Sequence, residues 1–151
     1  MFNTSIRNNI CMYKEIDDKI VMEVCENSGL SDFISEVSLD YVVGQNGAML
    51  SGGQKQKIAL ARALVQNSPI VIFDEATSNT DVYSEQQING LLHTKLKEKT
   101  VIIITHKQEI LREADQIILL KDGIVIGTGR YDDLIKSNVD FKDMINMAER
   151  Y

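Results

Sequence analysis

The stretch 70-IVIFDE-75 decides the fold class of this chain. Its four consecutive apolar residues are too few for a helix. A short apolar run that ends in acidic residues is typical of a strand buried on both faces of a sheet. A second run of this kind, 100-TVIIIT-105, comes after a segment whose pattern predicts a helix over residues 82–97. Strand, helix and strand in this order predict a parallel sheet, so we expect an α/β fold.

Downstream of the second strand the sequence predicts a short helix, a hairpin and two closing helices. The turn 121-KDG-123 separates two short apolar runs and is typical of a hairpin. The predicted ranges are 107–113 for the short helix, 116–120 and 124–127 for the strands, and 131–137 and 140–149 for the closing helices. The hairpin makes the expected sheet mainly, but not wholly, parallel.

Upstream of the first strand the pattern is helical. An apolar stripe through residues 16–24 precedes Gly29, which lies where a helix would stop. A short helix is predicted over 31–37, with Ser31 as its N-cap. The strongest helical pattern covers 54–66, which is rich in alanine, leucine, lysine and glutamine. The chain therefore divides into a helical part followed by an α/β part.

The composition is that of a globular protein and narrows the range of functions. The chain has 151 residues, 44% hydrophobic and 25% charged, with a net charge of −6. That charge argues against a nucleic-acid partner, because duplex binding depends on a dense basic face. The longest apolar runs fall far short of the roughly 20 residues that a membrane helix needs. Cys11 and Cys25 lack metal-ligand spacing and are interpreted as reduced thiols of a cytosolic protein.

Acidic and imidazole side chains follow the two central strands. Asp74 and Glu75 end the first strand, where open α/β sheets bind ligands. Because a strand alternates its side chains, one acid can face a hydrated magnesium ion while the other faces an attacking water. His106 follows the second strand and can donate a hydrogen bond to a phosphate oxygen. Taken alone, the acidic pair could equally well begin a solvated turn, and a lone histidine at a strand end is more often an ordinary surface residue.

A glycine-rich turn leads into the longest predicted helix. Ser51, Gly52 and Gly53 offer a hydroxyl, backbone N–H groups and the positive end of a helix dipole. Such an end contributes roughly 0.3–2 kcal/mol toward an anion, too little to hold a nucleotide alone. Nowhere in the chain does lysine follow glycine, as it does in loops that hold a triphosphate within their own domain. On these residues alone the turn could serve a phosphate or could simply be a flexible turn before a capped helix.

Taken together, these features resemble the ATP-binding cassette (ABC) ATPases. The stretch 50-LSGGQ-54 is similar to the signature motif of that family, and 70-IVIFDE-75 to its Walker B strand with the catalytic glutamate. The segment 78-SNTD-81 resembles the D-loop, and His106 the switch histidine. The connecting phrases also match, namely 58-IALARAL-64, 74-DEATS-78 and 122-DGIVIGTG-129. The order and spacing of the motifs make the combination far more specific than any one of them.

The resemblance implies a fold and a division of the chain. Residues 1–67 would form the helical signature subdomain, and residues 68–151 a partial P-loop ATPase core with a mainly parallel sheet. The segment 41-YVVGQNG-47 is similar to a loop that exporter-type members carry before the signature. Residues 2–10 resemble the segment after the Q-loop, which in the family contacts the membrane domains. An exporter-type nucleotide-binding domain is therefore expected.

In this family the signature loop serves the nucleotide of another domain. Two domains pair head to tail, and each signature caps the triphosphate bound by the other. The resemblance thus assigns to ATP of a partner subunit the residues Ser51, Gly52, Gly53 and Gln54. The implied partners are a second nucleotide-binding domain and the transmembrane domains of a transporter, at the cytoplasmic face of the cell membrane.

The resemblance assigns the remaining residues to ATP of the chain's own domain, with Mg²⁺. Asp74 would hold the magnesium ion through water, and Glu75 would polarise the attacking water. His106 would hydrogen-bond the γ-phosphate. Asp81, in the D-loop, would contact the other domain across the dimer. The D-loop departs from the family pattern at Asn79-Thr80, where Ala-Leu is usual.

The Walker A loop and the Q-loop glutamine of the family would lie upstream of Met1. This chain alone is therefore expected to bind ATP weakly and to hydrolyse none. One alternative is a non-catalytic interaction module or truncated gene product that pairs with a complete cassette domain. A minor alternative is the C-terminal lobe of a chromosome-maintenance-type ATPase, which the lack of heptads disfavours.

Overall fold

The computed structural model describes residues 1–74 and 90–148. It divides into two compact units, Met1–Ile102 and Ile103–Tyr151. No helix in these described ranges has the length and apolar character to cross a bilayer. The division into a signature subdomain (1–67) and an ATPase core (68–151) stays a prediction.

The first unit begins with a helix that the sequence pattern did not predict. Helix α1 (Ile6–Cys11) starts where Oγ of Ser5 accepts a hydrogen bond from N–H of Asn8 at 3.2 Å. Ile6 and Ile10, one turn apart, are fully buried. The helix has only six residues, too few to show an amphipathic period, which is why the pattern missed it.

The next two helices show how local signals set helix ends. Helix α2 (Asp18–Asn27) stops at Gly29, which has φ +69°, as predicted. N–H of Leu30 donates to the carbonyl of Cys25 at 2.8 Å, and N–H of Gly29 to that of Glu26 at 3.0 Å, the Schellman pattern. Helix α3 (Ser31–Val37) has Leu30 as its N-cap, without a side-chain bond. The prediction that Ser31 caps this helix was wrong by one residue.

Helix α4 (Gly52–Val65) is the longest helix of the helical region, which comprises α1 to α4. Helices α1 and α2 pack against it. Burial raises the pKa of the Cys25 thiol to about 11 and also raises that of Cys11. Both thiols are free, in line with the prediction. The fully buried aliphatic residues of this core are Ile6, Ile10, Val21, Leu30, Val43, Ile58 and Ala61.

Strands β1 (Ile70–Asp74) and β2 (Thr100–Ile104) pair with each other. N–H of Thr100 donates to the carbonyl of Pro69 at 3.0 Å, so both strands start at the same end and run parallel, as predicted. Burial on both faces, however, was a wrong prediction. Ile72 is 63% exposed whereas Phe73 is 7% exposed, because no described residue covers the outer face of the pair.

The predicted helix over 82–97 is only partly described. Residues 82–89 lie outside the described residues, and 90–93 are helical. From residue 94 to 98 the chain forms turns, and Oγ1 of Thr94 donates to the carbonyl of Gly90 at 2.7 Å. The helical pattern thus ends about one turn earlier than predicted.

The second unit carries the predicted hairpin between short helices. Helix α5 (Gln108–Glu113) precedes β3 (Ile117–Lys121), which pairs antiparallel with β4 (Ile124–Gly129) around a two-residue turn. Helices α6 (Tyr131–Ser137) and α7 (Val139–Ala148) follow. The core of this unit contains Leu111, Ile117, Leu119, Tyr131, Leu134, Phe141 and Ile145.

Strand β4 and the last two helices meet closely at Gly127. A Cβ atom at this position would lie 2.7 Å from Nδ2 of Asn138 and 3.3 Å from Cδ2 of Leu134. Nδ2 of Asn138 donates to the carbonyl of Ile126 at 3.0 Å, while its Oδ1 accepts from N–H of Phe141 at 2.9 Å. Asn138 therefore caps α7, and only glycine at 127 leaves room for it.

Candidate functional site

The tip of α4, defined as Ser51, Gly52, Gly53 and Gln54, forms a capping box. Oγ of Ser51 accepts a hydrogen bond from N–H of Gln54 at 3.2 Å. Oε1 of Gln54 accepts in return from N–H of Ser51 at 2.8 Å. The pair fixes the direction in which the chain enters the helix and satisfies two backbone donors. The structure thus brings all four predicted signature residues together at one helix end.

The backbone donors that the box leaves open point out of the chain. N–H groups of Gly52 and Gly53 make no hydrogen bond to any described residue, and both glycines are exposed. The hydroxyl hydrogen of Ser51 and the side-chain N–H₂ of Gln54 add further donors. No acidic residue lies in the first turn of α4, whereas α2 begins at Asp18. The tip therefore presents donors and a positive helix end, the arrangement that suits an anion.

Nothing inside the described chain requires glycine at 52 or 53. A Cβ atom built at either position would meet no heavy atom within 4 Å, and neither residue has a positive φ. Glycine loses more conformational entropy on folding than alanine does. Alanine would therefore suit this helix better on internal grounds. The missing side chains make sense if another molecule approaches the backbone closely.

A 3₁₀ turn precedes Ser51 and the α4 tip. Residues Gln45–Gly47 form one 3₁₀ turn, and N–H of Met49 donates to the carbonyl of buried Val43 at 3.1 Å. Gly47 has φ +69°, and a Cβ atom there would lie 3.1 Å from Cε of Lys55. A larger residue at 47 would press on the side chains of Lys55 and Met1, so the turn packs against a side chain of α4.

The predicted acids and the histidine are described to different extents. Asp74 is the last residue of β1, exposed, and follows the buried Phe73. His106 is exposed and lies two residues beyond the end of β2, in the second unit. Glu75 and Asp81 lie outside the described residues. Their assignments, like those of Asp74 and His106, stay predictions.

Within the described ranges no group of three or more histidine, cysteine or acidic side chains is placed to hold a metal ion. Magnesium bound to a nucleotide needs only one or two protein carboxylates, because phosphate and water supply its other ligands. The exposed carboxylate of Asp74 fits that requirement, and the donors at the α4 tip fit a phosphate. Asp74 and the α4 tip are therefore each compatible with part of an Mg-ATP ligand, and the predicted assignments give them two different nucleotides.

Sequence reasoning missed two residues that hold α4 in place. Arg62 of α4 donates from Nε to the backbone carbonyl of Asn9 at 2.7 Å, across 53 positions of sequence. No periodicity and no motif spacing points to such a pair. The arginine belongs to the quoted phrase 58-IALARAL-64, but only the structure gives it a partner.

Comparisons with known proteins agree on one family. The family model described as ABC transporter matches residues 2–78. An ATP-dependent lipid A-core flippase of Pseudoalteromonas translucida is 38% identical over 151 residues, which cover 97% of this chain and 26% of the flippase. The flippase of Escherichia coli is 38% identical over 140 residues, covering 90% of this chain and 24% of its own length.

A solved structure shares the fold. A bacterial Atm1-family ABC exporter with ATP bound is 32% identical to this chain, with a TM-score of 0.90. The match covers 98% of this chain and 26% of the exporter. The chain thus spans about a quarter of the length of the relatives that it matches.

Proposed function

This chain belongs to the ABC transporter family, and we propose that the tip of α4 contacts the triphosphate of ATP bound to a second nucleotide-binding domain. The observation that carries this proposal is the pair Gly52 and Gly53. Their N–H groups are exposed and have no partner among the described residues, and no internal contact requires glycine there. A phosphate that approaches the backbone closely accounts for both features.

The size of the effect argues for a shared ligand. A helix end contributes roughly 0.3–2 kcal/mol toward an anion, whereas micromolar binding needs about 8 kcal/mol. The tip therefore supplies a minor part of the affinity and needs another segment to bind the rest of the nucleotide. Head-to-tail pairing of two domains, which the family resemblance implies, provides that segment.

We further propose that the intact domain hydrolyses ATP with Mg²⁺. Asp74 would orient the magnesium ion, which neutralises phosphate charge when bound. Glu75 would take up the proton of the attacking water, a role that contributes roughly 10²–10⁴ in rate. His106 would donate a hydrogen bond to the γ-phosphate, and Asp81 would contact the second domain. Phosphoryl transfer depends mostly on such positioning and charge neutralisation.

The relatives support a role in transport. Those named above are ATP-dependent lipid A-core flippases and an ABC exporter. We propose that this chain is part of the ATP-binding segment of an exporter, and that it couples ATP binding to movement of a substrate by transmembrane domains. The segment would work at the cytoplasmic face of the membrane.

Glycine-selective NMR tests the proposal, because the chain has only 9 glycines. The ¹⁵N-glycine-labelled chain is titrated with Mg-ATP alone, and then with the ATP-binding domain of the Escherichia coli flippase loaded with a non-hydrolysable ATP analogue. Glycines of that domain aligned with Gly52 and Gly53 are changed to aspartate, so that its own signature is disabled. Amide signals of Gly52 and Gly53 should move with the loaded domain and hardly at all with Mg-ATP.

A matched pair of substitutions provides the control. Gly52→Ala should weaken binding of the loaded domain at least tenfold, because the new methyl group blocks close approach. Gly90→Ala also adds a methyl group that meets no atom within 4 Å, and it should leave binding unchanged. Low-micromolar binding of Mg-ATP alone, or binding that leaves both tip signals in place, would contradict the proposal.

A further inference from the structure

One side chain of α4 binds the N-terminal strap, defined as residues 2–9. Arg62 donates from Nε to the carbonyl of Asn9 at 2.7 Å, and from Nη2 to Oδ1 of Asn9 at 3.3 Å. The centre of its guanidinium lies 5.7 Å from the centroid of the Phe2 ring. Two hydrogen bonds and a ring contact fix the plane of the guanidinium, a geometry that lysine cannot reproduce.

The amide of Asn9 is fully buried and uses its donors and acceptor within the strap. Oδ1 accepts from N–H of Phe2 at 2.9 Å in addition to Arg62. Nδ2 donates to the carbonyl of Phe2 at 3.0 Å and to that of Ser5 at 3.1 Å. Turning the amide over would place donors against donors, so its orientation is fixed. Arg62 therefore binds a strap that is itself rigid at the point of contact.

The strap also hydrogen-bonds to the segment that precedes the α4 tip in sequence. N–H of Val43 donates to the carbonyl of Thr4 at 3.1 Å, and N–H of Ile6 to that of Tyr41 at 3.0 Å. Ser5 and Val42 form an antiparallel bridge between these bonds. Ser51 lies eight residues beyond Val43. The strap thus contacts both the segment that precedes the tip and the helix that follows it.

We propose that Asn9 and Arg62 are positioning residues for the α4 tip, an inference that rests on the proposed contact of the tip with ATP. Arg62 lies 11 residues beyond Ser51, which is about 16 Å along a helix of 1.5 Å rise per residue. The side chain of Arg62 is bound to Asn9 at that distance from the tip. The strap binds Arg62 of α4 and also the segment before Ser51. A shift of the strap would therefore move the segments on both sides of the tip.

The test separates positioning from stability. Arg62→Lys keeps the positive charge but loses the forked donors. In the free, ¹⁵N-glycine-labelled chain it should shift the amide signals of Gly52 and Gly53, and it should weaken binding of the analogue-loaded flippase domain about tenfold. Ile58→Val, a truncation at a fully buried position of the same helix, is the matched control. It should lower the melting temperature while both tip signals and the affinity stay unchanged.

The tip signals of the variants decide whether Asn9 and Arg62 position the α4 tip. Tip signals of Arg62→Lys that coincide with those of the unmodified chain would overturn the inference, as would equal shifts caused by Ile58→Val. If the unmodified chain fails to bind the loaded domain, the proposed function fails, while the tip signals of the free variants still decide the positioning role. Should Arg62→Lys not fold, Phe2→Leu removes only the aromatic ring, itself 47% exposed, that contacts the guanidinium of Arg62. It should give a smaller shift at the same two glycines.

Discussion

The helical region (α1–α4) and the strand pair β1–β2 differ in how much of their apolar surface is buried. In the helical region the buried polar residues Asn9 and Ser28 are both hydrogen-bonded, and α1, α2 and α4 share one apolar core. In the strand pair β1–β2, by contrast, alternate isoleucines are about half exposed or more. The α4 tip is therefore joined to a buried apolar core, whereas Asp74 ends a strand with one exposed face.

The two faces of β1 give the largest expected contrast. Phe73→Ala should lower the free energy of unfolding by about 3–5 kcal/mol, because it empties a buried aromatic site. Ile72→Ala should change it by less than about 0.5 kcal/mol, because that side chain is mostly exposed. Urea denaturation measures both. A cost at Ile72 that matches the cost at Phe73, and that grows with protein concentration, would show that a second molecule covers the outer face.

The burial of Cys25 makes the helical region sensitive to alkaline pH. Burial raises the pKa of its thiol from 9.0 to about 11, so the unfolded chain loses the proton first as the pH rises. Stability should be fully present below pH 9 and fall between pH 9 and 11, by about 1.4 kcal/mol at pH 10. Denaturation of the reduced protein across this range measures the slope. Cys25→Ala should flatten the slope to the smaller part due to Cys11, and an unchanged slope would exclude this cause.

The smallest expected effect concerns the cap of α4. Ser51→Ala removes the acceptor for N–H of Gln54 and should cost about 1 kcal/mol. Ser31→Ala is the matched control, because Leu30 and not Ser31 is the N-cap of α3. The control should change stability by less than about 0.5 kcal/mol. Equal losses for the two variants would show that the capping box adds nothing to the support of the tip.

Features set by neighbouring residues could be predicted from the sequence. Gly29 ends α2 through backbone bonds within a few residues, and the turn at Asp122-Gly123 joins two short strands. The composition and periodicity of residues 54–66 likewise located α4 to within two residues at its start. Each of these signals acts within one turn of helix or one hairpin, which a single sequence displays.

Features set by distant residues could not be predicted. The bond between Arg62 and Asn9 depends on how α1 packs against α4, and no local pattern encodes it. The apolar run of β1 predicted burial on both faces, yet the second face depends on which other segment covers it. For the candidate site, the sequence predicted a phosphate contact at the α4 tip, and the structure added that the N–H groups of Gly52 and Gly53 have no partner among the described residues.

The contact at Gly127 limits how the end of the chain can evolve. A methyl group there would collide with Asn138, the residue that starts α7. Replacing Asn138 by a smaller residue would make room but would leave the carbonyl of Ile126 and the first turn of α7 without their partner. Residues 127 and 138 therefore constrain each other during evolution. A single substitution at either position costs stability, through a steric clash at 127 or through lost hydrogen bonds at 138.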